Sequence, residues 1–326
     1  MLDPVELRIA EALQIDPRAS WRRIARALGE HERLIARRGT ALLASGRVVV
    51  AGVRARGTGI LLRAACHPGA RLAAVEALAA RRDATFSYVL SGAYDVAAEI
   101  WRRPAPGQSP YTLDVSITPG LARAETLPIL RYFRTIRGWR LGVLSQSESS
   151  ALSGGPADAF PEVSVPESGS AVDQAIMDAL TADARMSAEE LARRAGVSES
   201  TVRRRLDVLR ETNQLSLRAI VEPAQAGLHT EALLWLSTAP HLVGEVGRAI
   251  AADGRARYVA AVAGSCQIVA DITVGEPHEL YTYLTESSWA AQIHSMDISL
   301  VAGARKRGGQ LLRMPGFSDG QPVASS

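Results

Sequence analysis

Lysine is almost missing from this chain: of its 37 basic residues only Lys306 is a lysine. Alanine is abundant, so the arginine excess matches a GC-rich coding bias, and only the placement of the arginines carries information. Cysteine is scarce as well. Cys66 and Cys266 are too few for a disulfide framework and show no metal-ligand spacing, so neither a metal nor a cofactor is expected. No run of about eighteen apolar residues occurs, which excludes an apolar helical span and makes a membrane partner unexpected. The first residues, MLDPVELRIAEAL, carry acids where a secretory signal needs a basic start and an apolar core. A reducing cytoplasm is the expected compartment.

What is present suffices for sizeable cores: 326 residues, 47% hydrophobic and 22% charged, long enough for two or more domains. The net charge of +3 is only weak evidence for a polyanionic partner.

The sequence repeats itself. Glu6–Val48 aligns without a gap on Asp173–Leu215, with Ile9 on Ile176, Leu13 on Leu180, Arg18 on Arg185, Ser20 on Ser187 and Gly29 on Gly196. Farther on, YVLSGAYDVAAEI (Tyr88–Ile100) matches VAAVAGSCQIVADI (Val259–Ile272). Agreement of apolar positions over such lengths predicts an internal tandem duplication. Between the copies, residues 143–171 are rich in Ser, Gly, Pro and acids and read as a linker, while residues 314–326 read as a disordered tail.

In the second copy, Ile176 and Leu180 mark a first helix. Ser187 with Glu190 forms a capping-box signature for a second helix ending near Ala195. Gly196 permits a turn, and Ser198 caps a third helix that buries Val202, Leu206 and Leu209. Three short helices with a glycine turn before the last describe a helix-turn-helix, and LSLRAIV supplies a wing strand. Successive helical residues lie about 100° apart, so Arg203, Arg204 and Arg205 cannot share one face. Ser198, Ser200, Thr201 and Arg204, with the flanks of Arg203 and Arg205, are the candidate DNA contacts, since the start of such a helix meets base edges. A solvated arginine-rich face is the competing reading. In the first copy the third helix spans His31–Gly46 and offers Arg33, Arg37 and Arg38. It lacks a Ser or Thr cap, and Gly39 stands where the copy has core-facing Leu206. The glycine costs about 1 kcal/mol in a helix and the lost leucine about 2 more, so this unit is either repacked or mainly structural.

Each helical unit precedes a strand-helix-strand-strand pattern with a closing strand. In the second copy a helix precedes that strand; in the first copy the segment there is poorly defined. The order is that of a ferredoxin-like βαββαβ sheet. The expected class is α+β, with winged helix-turn-helix units at residues 1–54 and 172–224 alternating with sheet domains at 55–142 and 225–313.

These motifs resemble the Lrp/AsnC family of transcription regulators: D-x-x-I-x-x-x-L-x-x-D-x-R-x-S (Asp173–Ser187), the GVSESTVRRRLDVL stretch, the turn between two strands and the charged closing strand SLVAGARKR. The resemblance covers nearly the whole chain apart from linker and tail. It implies double-stranded DNA as partner, homodimers or higher homo-oligomers through the sheet domains, and an amino acid-like effector held where sheet domains meet. The implied effector residues lie at the strand turns: Ser91, Gly92, Tyr94 and Asp95 in the first copy, and Gly264, Ser265 and Gln267 in the second. Asp95 could hold an ammonium group and Gln267 could not; the alternative is that both merely tie down a turn. A sirohaem decarboxylase-like enzyme shares the two-domain build and is the rival reading. No catalytic residues are assigned, because the six histidines are scattered and no nucleophile–base pair recurs in both copies. A sensor that has lost DNA binding is the third reading, against which the intact cap at Ser198 argues.

Overall fold

The computed structural model describes residues 1–54, 57–102, 107–136, 138–153, 170–212 and 214–312. The tail and residues 154–169 of the expected linker lie outside the described residues. The chain is mixed α+β. It opens with α1 (Pro4–Ile15), α2 (Trp21–Leu28), α3 (Glu32–Ala44) and β1 (Val48–Arg54). Next come β2 (Thr58–Cys66), α4 (Arg71–Ala80), β3 (Ala84–Ser91), β4 (Val96–Arg102) and β5 (Leu121–Arg134). After α5 (Gln146–Leu152) follow α6 (Ala171–Ala182), α7 (Ala188–Ala195), α8 (Glu199–Glu211) and β6 (Leu215–Val221). The last elements are β7 (Thr230–Thr238), α9 (Val243–Ala252), β8 (Ala256–Val262), β9 (Ile268–Val274), α10 (Pro277–Glu286), β10 (Ile293–Arg307) and β11 (Gln310–Leu311).

The residues divide into two compact units. The larger comprises Met1–Gly57 and Ile129–Asp297, and the smaller Thr58–Pro128 and the chain from Ile298 onward.

In the larger unit, α1–α3 and α6–α8 each gather around their own apolar core. The helices start where the sequence supplies oxygen: Asp3 and Ser170 form capping boxes with Glu6 and Asp173, and Ser20, Ser187 and Ser198 accept from N3 amides. Gly29 and Gly196 end α2 and α7 in the left-handed region, φ 66° and 65°, where a side chain would be strained. Glu190 does not close a box with Ser187; it bonds Arg193 and Arg194 instead.

The two wing strands pair with each other. β1 runs antiparallel to β6 from Val48↔Val221 to Arg54↔Leu215, and its central pair, Ala51↔Arg218, joins two aligned positions. The register is therefore symmetric about that pair. β1 packs on α6 as well as α3, and β6 on α1 as well as α8, so each strand serves both helical units. Ala219 and Val221 enter the first core. A Cβ at Gly52 would lie 2.9 Å from the Leu180 carbonyl oxygen, which shows how closely β1 approaches α6.

The rest of the larger unit is a sheet ordered β5–β8–β9–β7, with α9 and α10 packed on a core of Leu234, Leu236, Ile250, Ile268, Ile272 and their neighbours. Within the smaller unit the order is β11–β10–β3–β4–β2–β5, with α4 against Leu62, Val89, Val96 and Ile100. Residues 107–120, between β4 and β5, form no helix, whereas α10 lies between β9 and β10. β5 gives residues 121–128 to the smaller unit, paired with β2, and residues 129–134 to the larger, paired with β8. β10 likewise brings Leu300–Lys306 to β3 in the smaller unit. Each sheet thus includes a strand from the other half of the sequence. The register shifts at Ile129/Arg131 and Tyr132/Arg134 of β5 recur at Val301/Gly303 and Ala304/Lys306 of β10.

Two local readings change. The segment read as linker from residue 143 begins as part of the first helical unit: Ser145 and Glu148 cap α5, Leu152 is fully buried in that core, and Glu11 accepts from the Val143 and Leu144 amides at 2.5 and 3.0 Å. No apolar period announces this because a single leucine makes the anchor. Gly39 does not leave a hole. A Cβ there would come 2.4 Å from the Trp21 ring, so the indole occupies the space. Trp21 aligns with Ala188 and Gly39 with Leu206: large and small have exchanged places between α2 and α3.

Candidate functional site

α8 owes its orientation to its buried stripe. Val202, Leu206 and Leu209 face the core, leaving Ser198, Glu199, Ser200, Arg203 and Arg204 exposed and Thr201 half-buried. Ser198 Oγ accepts from the Thr201 amide at 3.2 Å and lies 2.9 Å from both the Ser200 and Thr201 hydroxyls, which fixes the start of the helix. Among the described residues Arg204 forms no ion pair, whereas Arg203 holds Glu199 at 2.6 Å.

Arg205 departs from the expected set. Its guanidinium grips Asp173, whose side chain is 1% exposed, through Nε at 2.6 Å and through Nη2. Burial would raise the Asp173 pKa, but bonds from Arg205 and Ser170 overcome this and hold the carboxyl below its ordinary range. Arg205 is thereby spent on the N-terminus of α6. The same occurs in the first unit, where Arg38, aligned with Arg205, pairs with the Asp3 cap of α1. Arg33 and Arg37 on α3 are exposed and form no ion pair among the described residues. Sequence reasoning missed these helix-tying roles because the partners lie 32 and 35 residues away.

The two helical units are fixed to each other by more than the wings. Arg18 donates to the Ala184 and Met186 carbonyls at 2.6 and 2.9 Å, and Arg185 to the Pro17 and Ala19 carbonyls at 2.9 and 3.2 Å. Arg185 also stacks over Trp21, 4.5 Å from the ring centroid. Burial pushes both guanidiniums below their ordinary pKa, helped by Arg210 beside Arg18 and by Arg18 beside Arg185.

The β3–β4 and β8–β9 turns behave alike. Asp95 Oδ2 accepts from the Cys66 amide at 2.8 Å, and Gln267 Oε1 from the Thr238 amide at 3.3 Å, each tying its turn to the end of the neighbouring strand. Gly92 and Gly264 carry φ of 139° and 151°. Ser91, Gly92, Gly264 and Ser265 are exposed. Tyr94 is buried: its hydroxyl donates to Glu125 at 3.1 Å and accepts from Arg123 at 3.0 Å, with Arg63 4.2 Å over the ring. All six histidines are exposed, and they stand on separate segments of the chain. No described helix is long and apolar enough to cross a membrane.

Residues 170–210 match the AsnC-type helix-turn-helix domain. An uncharacterized HTH-type transcriptional regulator of Pyrococcus abyssi is 30% identical over 139 residues, which are 42% of this chain and 88% of the relative. The chain belongs to the Lrp/AsnC family of transcriptional regulators. A second HTH-type regulator, from Pyrococcus horikoshii, matches this Lrp/AsnC chain with the same identity and coverage. Its fold is similar from end to end to that of the siroheme decarboxylase NirDL, with a TM-score of 0.59 over 93% of this chain and 92% of that one. At 12% identity that likeness concerns the fold alone. As an Lrp/AsnC regulator the chain carries a DNA-binding helix-turn-helix, and α8 is its last helix.

Proposed function

We propose that this is a cytoplasmic, sequence-specific DNA-binding regulator in which two ancestral subunits, each a winged helix-turn-helix with a ferredoxin-like sensor sheet, are welded into one chain. The observation that carries the reading is the face of α8: its apolar stripe is buried, its cap is intact, and Ser200 and Arg204 stand outward. An outward arginine near the start of such a helix can donate bidentately to guanine, while Arg203 and Arg37 supply charge for bases or phosphates. Arg33 and Arg37 extend the interface onto α3. The repeated element order, the symmetric β1–β6 register and the recurring bulges support the weld.

The sheet units sense an amino acid-like effector at the Ser91–Asp95 turn, where Asp95 places a carboxylate for an ammonium group. The second turn, with Gln267, offers no charge and is the lesser site. Chains associate further through their sheet units. Mapping of bound sites across the genome tests the reading: enrichment at discrete promoters that is lost in Arg204→Ala supports it, and an absence of sequence preference overturns it.

The end-to-end likeness to siroheme decarboxylase keeps a second reading in view. Six exposed, separated histidines give it no support from the residues. Incubation with sirohaem, followed by absorbance, distinguishes the two.

A further inference from the structure

We propose that the chain reads an imperfect inverted repeat in one orientation only, with α8 and α3 recognising unlike half-sites. This rests on the DNA-binding reading above and adds what the site must look like.

Both recognition helices belong to the larger unit, and the symmetric β1–β6 register with the reciprocal Arg18 and Arg185 bonds relates them as a fixed pair about a pseudo-two-fold axis. Helices so related meet half-sites of opposite orientation, as the halves of a dimer do. Identical subunits are bound to carry identical readers. A single chain is free of that restriction, and this one uses the freedom.

The helices share one reading group and differ at the rest. Arg37 and Arg204 are aligned, exposed and equally placed in their helices. They call for the same guanine contact in both halves. One turn earlier, α3 carries exposed Arg33 where α8 has Ser200, so the α3 half gains a second guanidinium and the α8 half a sequence-tolerant hydroxyl. One turn later, exposed Thr40 stands where α8 presents Asp207, a carboxylate that accepts from a cytosine amino group and repels phosphate. Arg203, held by Glu199, has Ala36 as its counterpart. α3 remains a well-formed helix because Trp21 fills the space over Gly39, so its sequence difference is packed and not degenerate.

The test is selection from a pool of random duplexes with the full-length chain at fixed salt, followed by competition against two symmetrised duplexes, each built from one half of the selected site. A guanine is expected in both halves at the shared position and a second one in the α3 half alone. Each symmetrised duplex is expected to bind about tenfold more weakly than the parent, because every mismatched contact counts. Arg33→Ser with Thr40→Asp, both at exposed positions, moves the preference towards the duplex made of two α8 halves. A perfect inverted repeat, a single enriched half-site, or equal affinity for a symmetrised duplex overturns the inference and leaves DNA binding standing. No enrichment at all overturns the DNA-binding reading itself.

Discussion

Arg18 and Arg185 occupy aligned positions and donate to carbonyls flanking each other, five bonds at 2.6–3.2 Å. Among the described residues neither guanidinium has a carboxylate at bonding distance; both are solvated by peptide oxygens in a half-buried setting, with Asp16 and Asp183 acting on them from farther off. Hydrogen bonds to charged groups are worth about 1.5–3 kcal/mol. Arg18→Ala is therefore expected to lower stability by about 2 kcal/mol. Arg185→Ala is expected to cost more, by about 0.5–1 kcal/mol, through the lost stacking on Trp21. Urea unfolding of both variants, read as midpoint shifts at constant slope, checks the order.

The Trp21–Gly39 pair makes a sharper case. Gly39→Leu overpacks a space the indole fills, and the expected cost is about 1–3 kcal/mol. Trp21→Ala empties that space and is expected to cost about 3 kcal/mol. Combined, the two changes restore the packing scheme of Ala188 and Leu206, so the double variant is expected to be more stable than the sum of the singles predicts by more than 1 kcal/mol, within the usual coupling range of about 0.5–3. A thermodynamic cycle from thermal or urea unfolding measures it.

On α8 the three arginines are expected to separate by role. Arg204→Ala weakens binding to the selected operator by about 1–3 kcal/mol and relaxes preference at one position. Arg203→Ala lowers affinity for all sequences alike. Arg205→Ala leaves the buried Asp173 carboxylate to Ser170 alone and is expected to reduce stability by about 1–3 kcal/mol. Gel shifts over a salt series, beside unfolding curves, distinguish the three.

Glu148 is held at a pKa of about 2 by the Arg8 guanidinium and the Ser145 cap, against an ordinary 4.5. A depressed acid lends its stabilisation fully above the unfolded value and loses it as pH falls through the folded one. Glu148→Gln is thus expected to be less stable than the parent at pH 6, with the difference shrinking between pH 4.5 and about 2. Unfolding midpoints of both proteins across that range show whether the gap closes.

At the sheet turn, Asp95→Asn keeps an acceptor for the Cys66 amide and is expected to leave stability within about 0.5 kcal/mol of the parent. If the carboxylate also holds an ammonium group, calorimetry against an amino acid panel shows weaker binding in this variant than in Gln267→Asn. Equal binding leaves Asp95 with the turn alone.

Much of this was legible before any coordinates. Strand β6 falls on LSLRAIV, the segment expected to supply the wing. The caps at Ser187 and Ser198 and the glycine turn at Gly196 were equally plain, because capping and left-handed turns are decided by a few neighbouring residues. Among the candidate contacts, the outward set of α8 followed from helical spacing alone, and Arg205 did not. Its partner, Asp173, lies on another helix.

The amino-acid sequence by itself determined the local elements and which faces are apolar, since these follow from short-range sterics and the periodicity of hydrophobic burial. Tertiary structure alone decided partners distant in sequence: that β1 joins β6, that β5 pairs with β8 and β10 with β3, that Leu152 anchors a supposed linker and that Trp21 completes a core Gly39 leaves open. Such choices depend on shape complementarity between surfaces brought together only by folding, and no local pattern encodes them.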